Sequence, residues 1–300
     1  MSTHNPVNPE DIPFTSDIVP EVMELETEIQ FRCHKEISCF NACCKQADIT
    51  LAPYDIIRLK QRLDKNSSEF LADHTVPFEM DRDGLPGVKL KTDNDGACSF
   101  LNEDGCTVYE DRPAVCRYYP VAMLAMHHKD STTDEAHFSL VKESHCMGHK
   151  EDRTITIGDY RKEQKAEVYD EHNRGWLQLM LKKRSAGPSI GRPSSLSLQL
   201  FFMASYDMDR FRRFIASDSF KKSYDLADST YEAIAKDDII AMEFGYQFLR
   251  QILFAEKTLE EQKGAFEKRI AERKEILEMR RESEIAEARK REEEQRREVT

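Results

Sequence analysis

The distribution of cysteines constrains the fold of this 300-residue chain more than any other feature. All eight cysteines lie between residues 33 and 146, and four of them fall within the first twelve residues of that range. The full set is Cys33, Cys39, Cys43, Cys44, Cys98, Cys106, Cys116 and Cys146. Folding must gather these soft ligands, and gathered thiolates bind zinc or iron–sulfur clusters well. We therefore interpret all eight as metal ligands.

The compartment expected for the chain favours ligands over disulfides. Residues 1–10 are polar and lack the basic segment and apolar core of a secretory signal, and no run reaches the roughly 20 apolar residues that span a bilayer. We therefore expect a cytoplasmic protein without a membrane segment, in which clustered thiols stay reduced. The net charge of −12 argues against nucleic-acid binding, which needs a positive field.

The adjacent pair Cys43 and Cys44 bears on the kind of metal centre. Neighbouring side chains diverge on a helix or a strand, so we expect the two thiols to reach different irons of one cluster or two separate metals. The paired knuckles of a zinc ribbon are absent, as is the Cys-x2-Cys-x2-Cys-x3-Cys-Pro run of bacterial ferredoxins. The pattern favours an iron–sulfur cluster as cofactor, with zinc as the alternative.

Histidines offer substitute ligands. His34 follows Cys33, while His145 and His149 flank Cys146. A site of three cysteines and one histidine is chemically reasonable for zinc. The alternative for each histidine is a place on the surface or beside the ligands.

Two arginines lie close to Cys116 in the sequence, Arg112 and Arg117. Their guanidinium groups could offset the negative charge of a thiolate centre. The alternative is that Arg112 pairs with a neighbouring carboxylate, Glu110 or Asp111, on the surface.

The hydrophobic pattern predicts an α+β fold: a cysteine-rich module of short strands and loops, then a helical region and a long charged C-terminal helix. Pro53 suits the first turn of a helix. Strands are predicted for residues 22–31, 76–80, 88–91, 121–126 and 137–141. Helices are predicted for residues 159–183, 196–203, 208–216, 229–236 and 239–255.

Four segments follow from this pattern. Residues 1–20 form an extended arm, residues 21–150 the metal-binding domain, residues 151–255 a helical domain, and residues 256–300 a charged helix. The last segment has a sparse apolar stripe, which could bind an unknown protein partner as a coiled coil. A solvated helix with internal ion pairs is the favoured alternative.

The cysteine pattern resembles a known family. The strings Cys33-H-K-E-I-S-Cys39-F-N-A-Cys43-Cys44 and Cys106-T-V-Y-E-D-R-P-A-V-Cys116-R-Y-Y-P are similar to those of the YkgJ-type cysteine-cluster family. That family has a nominal Cys-x3-Cys-x2-Cys-Cys signature and is described as zinc- or iron-chelating. The resemblance covers about residues 30–150 and implies metal binding, but it implies no particular reaction. The spacings here, x5 and x3 before the adjacent pair, depart from the nominal ones.

Whether the chain is an enzyme stays open at this level, and no catalytic residue is assigned. A flagellin lysine methylase carries a similar cysteine cluster, so lysine N-methylation is one alternative by analogy. The chain lacks a glycine-rich loop for S-adenosylmethionine, which weakens that alternative. A structural zinc module for protein interaction is the other alternative.

Overall fold

The computed structural model describes residues 22–126, 135–185 and 193–265, together with residues 267 and 271. The predicted arm, residues 1–20, lies outside these ranges, as does most of the predicted C-terminal helix. Where residues 256–264 are described they are not helical, and Leu259 is buried against the body of the protein. The charged helix therefore does not begin at residue 256.

Helices and short strand pairs together confirm the α+β class. The helices are α1 Ala42–Lys45, α2 Pro53–Arg62, α3 Ser67–His74, α4 Ala114–Tyr118, α5 Ile157–Glu163, α6 Ala166–Ser185, α7 Ser195–Tyr206, α8 Met208–Ala216, α9 Asp218–Lys221, α10 Asp228–Lys236 and α11 Asp238–Phe254. The strands are β1 Glu28–Gln30, β2 Thr75–Glu79, β3 Pro86–Leu90, β4 Leu101–Asn102, β5 Gly105–Cys106, β6 Val121–Met126, β7 Glu135–Leu140 and β8 Thr154–Thr156. Short 3-10 turns cover Tyr109–Asp111 and Met147–Lys150.

The strands form separate antiparallel pairs: β1 with β8, β2 with β3, β4 with β5 and β6 with β7. The strands predicted for residues 76–80, 88–91, 121–126 and 137–141 are confirmed, and each pairs with its neighbour in the sequence as a hairpin. Pro53 opens α2 as predicted, because the missing proline N–H costs nothing in a first turn. The predicted strand at residues 22–31 shrinks to β1 and one isolated bridge at Met23.

The single helix predicted for residues 159–183 is wrong, because the structure has two helices there. α5 ends at Glu163, and Lys165 takes a left-handed conformation with φ 55° before α6 begins. The break frees the Gln164 carbonyl oxygen, which accepts a hydrogen bond from Arg117 Nη1 at 2.8 Å. A tertiary contact thus overrides a continuous helical pattern.

Two hydrophobic clusters form the core. The larger one packs α2, α3 and the β2–β3 hairpin against the C-terminal helices, with Phe70, Phe201 and Leu249 fully buried. The smaller one joins β1, β6, β7 and α5 around Ile29, Phe138 and Ile157. Both clusters include residues from either side of position 150, so the predicted domain boundary does not separate two cores.

Candidate metal centre

The short helix α1 carries the adjacent cysteines. Asn41 precedes it in a left-handed conformation with φ 66°, which turns the chain sharply after Cys39. The Sγ atoms of Cys43 and Cys44 lie 3.9 Å apart. The predicted divergence of these two side chains is therefore wrong, because the two sulfur atoms lie close enough to share a hydrogen bond.

The segment that carries Cys98 and Cys106 is hydrogen-bonded directly to α1. The backbone N–H of Cys98 donates to the carbonyl oxygen of Cys44 at 2.8 Å. Cys106 follows in β5, opposite Leu101 in the β4–β5 hairpin. Gly105 makes the tight turn with φ 118°, and an added Cβ there would lie 3.4 Å from the Phe40 ring. The hairpin therefore brings Cys106 back towards the loop that precedes α1.

Cys116 lies on α4, which a buried carboxylate fixes in place. Asp55 Oδ1 accepts a hydrogen bond from the Ala114 N–H at 2.8 Å, and Oδ2 accepts one from the Ala52 N–H at 2.8 Å. One fully buried side chain thus caps the N-termini of both α2 and α4. Burial raises the pKa of this carboxyl to about 6, against the lowering effect of the two N–H donors.

Cys39 contacts the segment that carries Cys146. The Met147 N–H donates to Cys39 Sγ at 3.2 Å. The Arg32 N–H donates to the Gly148 carbonyl oxygen at 3.1 Å, which holds the two chain segments together. These two contacts join segments more than a hundred residues apart in the sequence, one carrying Cys33 and Cys39 and the other carrying Cys146.

The electrostatic effects of the thiols on one another show how closely they crowd. Burial and then the charges of Cys43, Cys39 and Cys146 raise the pKa of Cys33 to about 11. Burial raises the pKa of Cys98, Cys106 and Cys116 as well, and each of them is also affected by Cys43. Within the adjacent pair, the hydrogen bond lowers the pKa of Cys43 and raises that of Cys44, so Cys44 is the thiol that keeps its proton.

All eight cysteines are free thiols, and none forms a disulfide. Within the described ranges no three His, Cys, Asp or Glu side chains converge closely enough to hold an ion in the positions they occupy. The donor chemistry nevertheless fits zinc or iron, because soft sulfur ligands from every predicted cysteine lie in one region. Binding would require the side chains to turn towards a common point.

The histidines have partners other than the thiols. His34 Nε2 lies 3.1 Å from the Glu151 carboxylate, and His145 Nε2 lies 3.6 Å from Glu143. His149 Nε2 donates to the Val141 carbonyl oxygen at 3.1 Å, and its Nδ1 atom is buried without a hydrogen-bond partner. Burial lowers the pKa of His149, which keeps the ring neutral.

The two arginines near Cys116 are buried, and their hydrogen bonds hold separate chain segments together. Arg117 is 2% exposed and donates to the carbonyl oxygens of Arg112, Gln164 and Glu110 and to the Tyr169 hydroxyl. The alternative in which Arg112 pairs with Glu110 or Asp111 on the surface does not hold, because Arg112 is buried and donates to the Tyr109 carbonyl oxygen and the Gln164 side chain instead. Burial raises the pKa of Cys33 and of Cys106, and the charge of Arg112 partly opposes that rise, as expected of a group that offsets thiolate charge.

Two residues beside the thiols had no signal in the sequence. The Tyr119 hydroxyl is buried without a partner at hydrogen-bonding geometry, and burial, Cys146 and Glu143 together raise its pKa. The Glu143 carboxylate also acts on Cys43. Asp55 could have been found from its third position in the helix after Pro53, where a carboxylate commonly caps the N-terminus.

Residues 32–147 match the family model CxxCxxCC, described as "Putative zinc- or iron-chelating domain", which confirms the resemblance seen in the sequence. The match begins just before Cys33 and ends just after Cys146, so it contains all eight cysteines. It supports metal binding by this region without distinguishing zinc from iron.

Two other comparisons found nothing: no curated protein and no solved structure matches the chain. Among the described residues, no helix is both long enough and apolar enough to cross a membrane.

Proposed function

We propose that residues 32–147 form a thiolate metal centre that holds zinc or an iron–sulfur cluster. The proposed ligands are Cys33, Cys39, Cys43, Cys44, Cys98, Cys106, Cys116 and Cys146. The observation that carries the proposal is that contacts at Cys39, Cys43, Cys44 and Cys98 bring separate segments with free thiols together. The family match supports the same conclusion.

Without a bound cation, a cluster of buried thiolates is energetically unfavourable. Burial raises the pKa values of Cys33, Cys98, Cys106 and Cys116, because thiolates lose hydration there. Neutral thiols are weak hydrogen-bonding groups and stabilise such a loop-rich region little. A bound divalent ion would neutralise the thiolates and convert its binding energy into folding energy.

The contact between Cys43 and Cys44 bears on whether zinc or an iron–sulfur cluster is the bound cofactor. Two thiolates on one tetrahedral zinc ion lie about 3.8 Å apart, from a Zn–S distance of about 2.3 Å. The observed 3.9 Å separation is close to that value. Because the Cys43 and Cys44 side chains do not diverge, they give no preference for an iron–sulfur cluster, and zinc is an equal candidate.

The first experiment is to purify the protein without oxygen and measure zinc, iron and acid-labile sulfide. We expect metal to bind in stoichiometric amount, and Cys39→Ser to reduce both the bound metal and the melting temperature. Ser38→Ala is the matched control, because Ser38 is the exposed neighbour of Cys39. A chain that binds neither zinc nor iron, with a melting temperature unchanged by either metal, would contradict the proposal.

A structural zinc module is the second candidate, and the two hydrophobic clusters favour it. Cys98 and Cys106 pack on the larger cluster and Cys146 on the smaller one, so a metal between them would join the two cores. Colourless protein that contains zinc without sulfide and unfolds on chelation would support this role. Lysine methylation, a cytoplasmic location and a protein partner for residues 256–300 stay predictions.

A further inference from the structure

Cys43 and Cys44 are the two thiols that the fold brings into direct contact, with their Sγ atoms 3.9 Å apart. In the described part of the chain, no hydrogen bond joins any other two of the free thiols. Nor do three metal-ligating side chains converge on one point among the described residues. The contact therefore defines a site with two sulfur ligands, which is complete without the other six cysteines.

This pair of thiols is accessible from solvent. Cys43 is exposed and Cys44 is partly exposed, and none of the four residues of α1 is buried. Neither cysteine belongs to one of the two hydrophobic clusters. A small molecule can therefore reach both sulfur atoms without opening the core.

Backbone hydrogen bonds fix the chain on both sides of the pair. The Cys44 N–H donates to the Asn41 carbonyl oxygen at 3.0 Å. The Cys44 carbonyl oxygen accepts from the Cys98 N–H at 2.8 Å. Further on, the Ala47 N–H donates to the Gly96 carbonyl oxygen at 3.0 Å. A site whose backbone is held in the free protein loses less conformational entropy when it closes on a ligand.

The geometry of the pair suits one atom that bridges the two sulfurs better than it suits a bond between them. The Cα atoms of adjacent residues are about 3.8 Å apart. A disulfide usually needs about 4.4–6.8 Å between its Cα atoms, so direct oxidation of this pair is strained. Two thiolates on one tetrahedral ion, in contrast, lie about 3.8 Å apart. The observed separation of 3.9 Å is close to that value, so one soft atom can bind both sulfurs while α1 is kept.

We propose that Cys43 and Cys44 form a two-thiol binding site for soft trivalent centres with two exchangeable ligands, the chemical class of monosubstituted trivalent arsenicals. On binding, the two As–OH bonds of the hydrated arsenical break and two As–S bonds form. The two thiol protons leave with the hydroxide groups as two water molecules, so arsenic and sulfur keep their oxidation states. The site goes beyond the proposed function, because it needs these two thiols and no bound metal.

Phenylarsine oxide, added to the reduced, metal-free full chain without oxygen, is the probe that tests the inference. After one equivalent, mass spectrometry should show one arsenical per chain, on the peptide that contains both cysteines. Cys43→Ser and Cys44→Ser should each weaken the affinity by about 100-fold, because the second As–S bond gains from a high effective concentration. Lys45→Ala is the matched control and should bind like the wild type, since Lys45 lies exposed on the same helix and both thiols remain.

Two measurements on the wild-type chain test the site even where a variant fails to fold. Ethane-1,2-dithiol should remove the arsenical, whereas an equal concentration of thiol groups supplied as a monothiol should leave it bound. Equal release by the monothiol, or mapping of the first equivalent to any other cysteines, overturns the inference.

The metal content separates this inference from the proposed function. A chain that binds stoichiometric zinc or iron but no arsenical at Cys43 and Cys44 refutes the arsenical site alone. A chain that binds the arsenical there but neither metal supports the arsenical site and refutes the proposed function alone.

Discussion

Arg117 provides the most direct test of how the metal-binding region is supported. Its guanidinium joins the segment before α4 to the break between α5 and α6 through four acceptors. Three of these are backbone carbonyl oxygens and the fourth is the Tyr169 hydroxyl, at 3.0 Å. Arg117→Lys keeps the positive charge but replaces a fork of donors with a single ammonium group.

The expected loss follows from counting acceptors. One ammonium nitrogen sits at a single point and can reach about two of the four acceptors, so about two buried oxygens lose their donor. Each unsatisfied buried group costs about 1–3 kcal/mol. We expect Arg117→Lys to lower the free energy of unfolding by about 2–6 kcal/mol, a large share of the stability typical of a domain.

Urea unfolding followed by far-ultraviolet circular dichroism and by the fluorescence of Trp176, the single tryptophan, measures this loss. Arg58→Lys is the matched control, because the Arg58 side chain is 41% exposed and its partner is the Asp111 carboxylate. We expect that control to cost less than about 1 kcal/mol. Equal unfolding free energies for the two lysine variants would refute the argument from acceptor geometry.

Two further predictions concern buried positions. The raised pKa of Asp55, about 6 against 3.8, means that the folded chain holds this proton more tightly, so stability falls by about 3 kcal/mol as the pH rises from about 4 to 6. Asp55→Asn should remove this part of the pH dependence in urea titrations, and an unchanged slope would contradict it. Gly245→Ala should lower the melting temperature, because the added Cβ would lie 2.7 Å from the Ala204 carbonyl oxygen, and overpacking costs about 1–3 kcal/mol. An unchanged or higher melting temperature for Gly245→Ala would show that α7 and α11 can move apart without loss.

Much of the local structure was predictable because it depends on neighbouring residues. Pro53 and the apolar spacing after it predict α2, and the bounds predicted for α8 agree with those observed. The paired strands β6 and β7 likewise follow from local alternation. The break at Lys165 was not predictable, since it depends on Arg117, which is distant in the sequence.

The candidate metal centre likewise has features that the sequence predicts and features that only the folded structure supplies. The cysteine spacing alone indicates soft ligands in the region that the family model covers. The sequence pointed to Arg117 as a charge near Cys116, but it revealed neither the buried hydrogen bonds that Arg117 makes nor the presence of Glu143 beside the thiols. Their role follows from burial and from neighbours that folding supplies.

The sequence by itself determined the chemistry, because the identity of eight thiols is enough to indicate a thiophilic metal. Tertiary structure decided which thiols are neighbours. Cys98 is hydrogen-bonded to Cys44, and Cys39 to Met147 beside Cys146, because separate segments are packed together around two hydrophobic clusters. Such contacts depend on burial between distant segments, which no local spacing records.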